Sequence, residues 1–138
     1  MTDISVTIGT ERFTGALEMI AAPKTCAAFL ALLPYYQRII HVRWSGEACW
    51  IPLGGLDLGL GFENATSYPA PGQLLLYPGG FSETEFLVPY GPVQFASKLG
   101  QLAGNHFLTI TEGLPRLAEV GRSTLWDGAK PIVFERAG

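Results

Sequence analysis

The segment Ile4-Ser5-Val6-Thr7-Ile8 alternates strictly between apolar and polar side chains, the two-residue period of a strand with one buried face. Gly9 and Thr10 turn the chain, and a second β-like run from Phe13 to Ile20, broken at Gly15, pairs with the first as a hairpin. The period then changes. Pro23 suits the first turn of a helix, where its missing N–H costs nothing, and Cys26, Phe29, Leu30 and Leu33 fall on one face at helical spacing. Pro34 pushes the residue before it out of the α region, so the helix is predicted to end near Leu32 or Leu33.

In Ile39-Ile40-His41-Val42-Arg43-Trp44 strand alternation puts His41 and Arg43 on one face and Ile40, Val42 and Trp44 on the other. The turn Ser45-Gly46-Glu47 leads into Ala48-Cys49-Trp50-Ile51, a hairpin that Pro52 closes. Residues 54 to 61 are rich in glycine but lack the GxGxxG spacing of a phosphate loop, and read as a connection. Gln73 to Tyr77 is an apolar run suited to a strand buried on both faces, and Pro78-Gly79-Gly80 ends it. A strand from Phe81 to Val88 would carry Phe81, Glu83, Glu85 and Leu87 on one face, with the two carboxylates about 7 Å apart. Pro89-Tyr90-Gly91-Pro92 reads as a turn, Val93 to Ser97 as a short strand, Lys98 to Gly104 as a loop and His106 to Thr111 as a strand. Leu114 to Trp126 includes a helix interrupted at Gly121, with Leu117, Val120 and Leu125 turned inward, and Pro131 to Glu135 is a last strand. The sum is a mainly β chain of about eight strands and two helices, which suggests a closed barrel capped at its ends by the helices.

Composition narrows the class. At 138 residues the chain fits one domain, and 48% hydrophobic against 15% charged residues describes a dense core rather than a disordered polymer. The mean hydropathy of +0.25 fits a well-filled barrel and leaves open a homo-oligomer that buries apolar surface between copies. A net charge of −3 without a basic block excludes a nucleic-acid partner. The start, Met1-Thr2-Asp3-Ile4, lacks the regions of a signal peptide, and no apolar run reaches the ~18 residues that span a bilayer, so a cytoplasmic location with no membrane partner is expected. Cys26 and Cys49 are not closely spaced and read as small buried hydrophobes, with no disulfide, metal or cofactor expected.

Two segments carry a resemblance. Ala22-Pro23-Lys24-Thr25-Cys26-Ala27-Ala28-Phe29 is similar to the segment that opens the first helix of cyclophilin, and Gly104-Asn105-His106-Phe107-Leu108-Thr109-Ile110-Thr111 resembles its groove-lining strand. The motifs between them, among them His41-Val42-Arg43-Trp44-Ser45-Gly46-Glu47-Ala48 and Tyr77-Pro78-Gly79-Gly80, resemble a bacterial family of compact cyclophilin-like proteins, DUF3830, over residues 22 to 135. The resemblance implies a cyclophilin-like barrel and names no activity. Carried over, the groove-facing glutamine of cyclophilin becomes His106, its pocket phenylalanine becomes Leu108, and its arginine is matched by Arg43, displaced by one residue. Residues 125 to 134 align with the family's tryptophan and histidine segment, or residues 114 to 121 align with its C-terminal helix and 131 to 135 with its closing strand; the second leaves the barrel closed. Either way the prolyl pocket loses members, and a poor prolyl isomerase is expected.

Candidate chemistry follows from the side chains left in that groove. His106 beside Glu83 or Glu85 has the parts for general acid and base work, and Arg43 for a bidentate contact to a carboxylate. Trp44, Tyr77, Ser82, Gln101, Asn105 and Leu108 complete the candidate ligand site. Against these stand plainer roles: His106 bonded to loop backbone, Arg43 paired with Glu47 or Glu83, and the two glutamates on a solvated face. The expected function is binding of a small polar or peptide-like ligand in the groove. The alternatives are an enzyme, either a weak peptidyl-prolyl isomerase or an acid/base catalyst on a small amide or hydroxy acid, and an accessory subunit that docks another chain.

Overall fold

The computed structural model describes residues 3–137; Met1 and Thr2, half of the start considered above, and Gly138 lie outside them. The described residues form β1 (Asp3–Ile8), β2 (Glu11–Leu17), α1 (Pro23–Leu30), β3 (Tyr35–His41), β4 (Gly46–Pro52), β5 (Ala65–Thr66), β6 (Gln73–Tyr77), β7 (Glu85–Val93), β8 (Ala96–Ser97), β9 (Gly100–Gln101), β10 (Gly104–Glu112), α2 (Leu114–Asp127) and β11 (Lys130–Arg136). Strands run in the order β2-β1-β11-β3-β4-β7-β6-β10, and β10 returns to pair with β2, so an antiparallel ring closes. β5 adds to β10, and β8 with β9 makes a separate two-stranded ribbon. The mainly β barrel with two helices read from the sequence is the observed fold. No helix among the described residues is long and apolar enough to cross a membrane.

Closure depends on one glycine inside a strand. β2 passes through Gly15 without the predicted break, because a Cβ there would stand 3.0 Å from Leu108 Cδ1 and 3.2 Å from the Thr109 carbonyl oxygen. The bare backbone lets β2 approach β10 and seal the ring. Met19 and Ile20, predicted to continue the strand, lie beyond its end and are exposed.

The inward side chains of the ring meet α1. Thr25, Cys26 and Phe29 are its buried face, and the Phe29 ring lies 4.9 Å from Phe107, 5.3 Å from Phe134 and 6.0 Å from Phe86, centroid to centroid. Burying one such ring is worth about 1.5–3 kcal/mol, so this cluster anchors the helix to the barrel. α1 stops at Leu30, ahead of the predicted end. Its N-terminus has no side-chain cap of its own; the Thr25 N–H donates to the Glu63 carboxylate, from the loop after β4. Cys26 and Cys49 are free and buried, and desolvation above all pushes their thiols to about 11.

α2 packs across β4, β7 and β3 and continues through Gly121, where the sequence predicts an interruption. Its buried residues are Leu117, Gly121 and Thr124, one helical stripe, while Leu125 is exposed rather than inward. Gly121 is required by packing: a Cβ there would stand 2.8 Å from Cγ of Tyr90.

β7 differs most from the prediction. The strand begins at Glu85, not Phe81, and runs through Pro89-Tyr90-Gly91-Pro92. β6 pairs only with Glu85 to Leu87, and the β4 register shifts between Gly46 and Ala48, so the prolines fall where few ladder donors are needed. Outward Leu87 of β7 joins Ala48 of β4, Leu75 and Tyr77 of β6, and Phe95 and Leu102 in a second apolar cluster on the outer wall. Phe95 and Leu102 come from the segment that carries the ribbon, which lies over this part of the wall.

Candidate functional site

A cleft of about 560 Å³ opens on this outer wall. Ile40 and Trp50, directly paired across β3 and β4, form part of its floor with Glu85 of β7. One side is the turn after β3, carrying Arg43, Trp44 and Ser45; another is the ribbon, carrying Ser97, Lys98 and Leu99; the third is the segment Phe81-Ser82-Glu83. The volume is that of a small-molecule pocket.

Local hydrogen bonds hold these walls. Ser45 Oγ donates to the Ala96 carbonyl at 3.0 Å and accepts from the Ala96 N–H at 3.0 Å, tying the turn to the ribbon. Tyr77 is buried, and its hydroxyl accepts from the Ser82 N–H at 3.2 Å, which steadies the third wall from below. His41 closes the end of β3: Nδ1 donates to the Val42 carbonyl at 2.8 Å, which leaves Nε2 as the acceptor for the Tyr90 hydroxyl at 2.7 Å.

The charges are arranged without mutual pairing. Arg43 and Lys98 form no ion pair among the described residues, and neither do Glu83 and Glu85. Glu85 is 5% exposed, and none of the described residues hydrogen-bonds its carboxyl. Desolvation first, and the charge of Glu83 second, raise its pKa to about 8, so it holds its proton at neutral pH. No sealed side-chain oxygen or nitrogen among the described residues lacks a partner, so the Glu85 carboxyl meets the open space of the cleft. Trp44 and Phe81 present 58% and 60% of their surface, and both line it.

Five of the sequence candidates therefore share one cleft: Arg43, Trp44, Ser82, Glu83 and Glu85. Arg43 and Trp44 were assigned to opposite strand faces; they meet because β3 ends at His41 and both lie on the turn. The other five do not line it. His106 is on the outer face of β10, with β6 between it and β7; its Nε2 lies 2.8 Å from Thr109 Oγ1, whose hydroxyl donates to Glu18 at 2.7 Å. Burial lowers the His106 pKa, against the opposing charge of Glu18. Leu108 is wholly buried in the barrel core. A register shift between His106 and Leu108 puts Phe107 and Leu108 both inside, so the two positions that the resemblance placed in one groove do not share a face. Asn105 is buried and donates to Thr25 Oγ1 at 3.1 Å and to the Gly61 carbonyl at 3.0 Å. Gln101 accepts from Gln94 on the exposed ribbon, and Tyr77 supports the cleft from beneath. The acid/base pairing of His106 with Glu83 or Glu85 has no geometric basis here.

Phe81 and His41 are lining residues that the sequence reading did not select. Phe81 was visible as an apolar residue directly after Pro78-Gly79-Gly80, a place where burial in a strand was not required. No three His, Cys, Asp or Glu side chains among the described residues group as a metal site.

A family model described as "Protein of unknown function (DUF3830)" matches residues 4–135. The chain belongs to the DUF3830 family. No curated protein matches it by sequence. Among solved structures, this DUF3830 chain is similar to McbB in complex with tryptophan, with a TM-score of 0.73 and 18% identity. That match covers 98% of this chain and 45% of McbB, so the chain spans less than half of McbB's length. It is also similar to the solution structure of hypothetical protein AF2241 from Archaeoglobus fulgidus, with a TM-score of 0.65 and 14% identity over 99% of this chain and 95% of that one. At these identities the likeness establishes a shared fold for DUF3830.

Proposed function

We propose that this DUF3830 protein binds a small organic acid with a flat apolar body in the outer-wall cleft. Arg43 and Lys98 take the carboxylate, and Trp44, Trp50 and Phe81 enclose the body. The observation that carries this reading is the presence, beside three aromatic side chains in one cleft, of two cations without an ion pair among the described residues. Guanidinium favours planar, bidentate contact with a carboxylate, and exposed aromatic faces are costly to leave in water unless they are covered in use. McbB is solved with tryptophan, a molecule with a flat ring system and a carboxylate, which supports that shape as a probe. A small ligand of this kind is the narrower form of the polar or peptide-like ligand expected from the sequence.

The test is a thermal-shift and calorimetric series with indole-3-propionate, benzoate and indole. Indole-3-propionate is expected to stabilise the wild type, and Arg43→Ala to weaken that binding by about tenfold, the loss of one charge-assisted contact. If no carboxylate stabilises the wild type, or Arg43→Ala binds indole-3-propionate as well as the wild type does, the reading is wrong.

A further inference from the structure

We propose that Glu85 and Glu83 form an ammonium-binding end in the same cleft, so that the ligand carries an amine. The inference deepens the binding reading above and rests on the same cleft. Its basis is geometric. Glu85 is 5% exposed yet has no hydrogen-bond donor among the described residues, and it lines the cleft floor. Its carboxyl faces the open cleft, so its hydrogen bonds are left to whatever occupies the cleft, water or a ligand group. Glu83 lines the same end, near enough for its charge to act on Glu85, and neither carboxylate has a cation among the described residues. A cation at this end would meet the Glu83 carboxylate and draw Glu85 into its ionised form, so that two attractions form. The aromatic faces of Trp50 and Phe81, in the same cleft, add the electron-rich surface that ammonium groups favour.

In the free protein Glu85 is neutral at pH 7, since its pKa stands at about 8. An ammonium that docks there favours the carboxylate, so Glu85 releases its proton to solvent while the ligand keeps its own, and a charge-assisted N–H···O bond forms. Binding is then accompanied by release of about one proton at pH 7, and affinity rises as pH approaches 8. The charged or titratable groups around Glu85 are Glu83, His41, Arg43 and Lys98 in the cleft, and Tyr77, its direct partner on β6.

Tryptamine, which has the amine and no carboxylate, isolates this end. Calorimetry at pH 7 in two buffers of different ionisation enthalpy reads both affinity and proton release. Tryptamine is expected to bind the wild type with release of about one proton, and Glu85→Gln to bind about tenfold more weakly with no proton release. Glu83→Gln, altered at an exposed position that does not threaten folding, is expected to weaken tryptamine and leave indole-3-propionate unaffected or improved. If tryptamine fails to bind the wild type, or binds Glu85→Gln equally, the ammonium end is refuted, whatever indole-3-propionate does. If tryptamine behaves as expected while indole-3-propionate does not bind, the carboxylate reading fails and the ammonium end stands.

Discussion

The Tyr90 hydroxyl stands 2.7 Å from Nε2 of His41, and this bond joins the candidate cleft to the helix that packs behind it. His41 is a lining residue of the cleft, while the Tyr90 ring lies against Gly121 of α2. The end of β3, the middle of β7 and one face of α2 are thus held in a single contact. Tyr90→Phe leaves Nε2 without its donor and is expected to cost about 1 kcal/mol in urea unfolding at neutral pH. An unchanged midpoint would mean that water replaces the bond at no cost.

Gly121→Ala sets two effects against each other. Alanine improves helix propensity by about 1 kcal/mol, but its methyl meets the Tyr90 ring, and overpacking costs about 1–3 kcal/mol. Net destabilisation is expected because Tyr90 is buried and bonded to His41. A variant that melts higher than the wild type would show that the ring can give way.

Asn105 joins three segments that are distant in sequence. Its amide donates to Thr25 of α1 and to Gly61, and its oxygen accepts from the Glu63 N–H at 3.1 Å. Asn105→Ala orphans the Gly61 carbonyl and the Glu63 N–H and loosens the loop that caps α1. A loss of about 2–4 kcal/mol is expected in denaturant unfolding. A loss below about 1 kcal/mol would remove Asn105 from the structural role given to it.

Glu85 makes stability depend on pH in a definite direction. Its folded pKa, about 8, lies above the ordinary 4.5, so between those values the folded chain holds a proton that the unfolded chain has released. Stability therefore falls as pH rises through this window, by up to about 1.4 kcal/mol per unit. Glu85→Gln cannot titrate, and its melting temperature is expected to decline less from pH 5 to pH 8 than that of the wild type. Parallel curves would contradict the raised affinity for a proton.

His106 acts in the opposite sense. Burial lowers its pKa, so the unfolded chain takes up a proton more readily below the ordinary 6.5, and stability is lost as pH falls through that value toward the folded pKa. His106→Gln keeps a donor for Thr109 without the titration. It is expected to be less sensitive to acid than the wild type while binding indole-3-propionate and tryptamine equally well. Weaker binding by this variant would return His106 to the ligand site.

Much of the fold is written in local periods. Ile4, Val6 and Ile8 alternate with polar residues, and all three are buried in the barrel; Pro23 opens α1, whose Cys26 and Phe29 face inward. Solvent on one side and core on the other impose these periods on each element separately, which is why they are legible without knowledge of the rest. The family resemblance was legible for a similar reason, since it rests on contiguous segments.

The site was legible only in part. Arg43, Trp44, Ser82, Glu83 and Glu85 were identifiable as chemistry-bearing residues near turns, but their grouping depends on where strands end. β3 stops at His41 and β7 starts at Glu85, so Arg43, Trp44, Phe81 and Glu83 leave the alternation and converge from separate turns. In the same way, one extra residue on β10 put Leu108 in the core and left His106 outside, across β6 from Glu85. The amino-acid sequence by itself determined the mainly β class, the two helices, inward residues such as Ile4, Val6, Ile8, Cys26 and Phe29, and the kinds of side chain available for binding. Tertiary structure alone decided which of them meet, because strand termination, a register shift and ring closure are set by contacts between segments far apart in the chain, where no local period can record them.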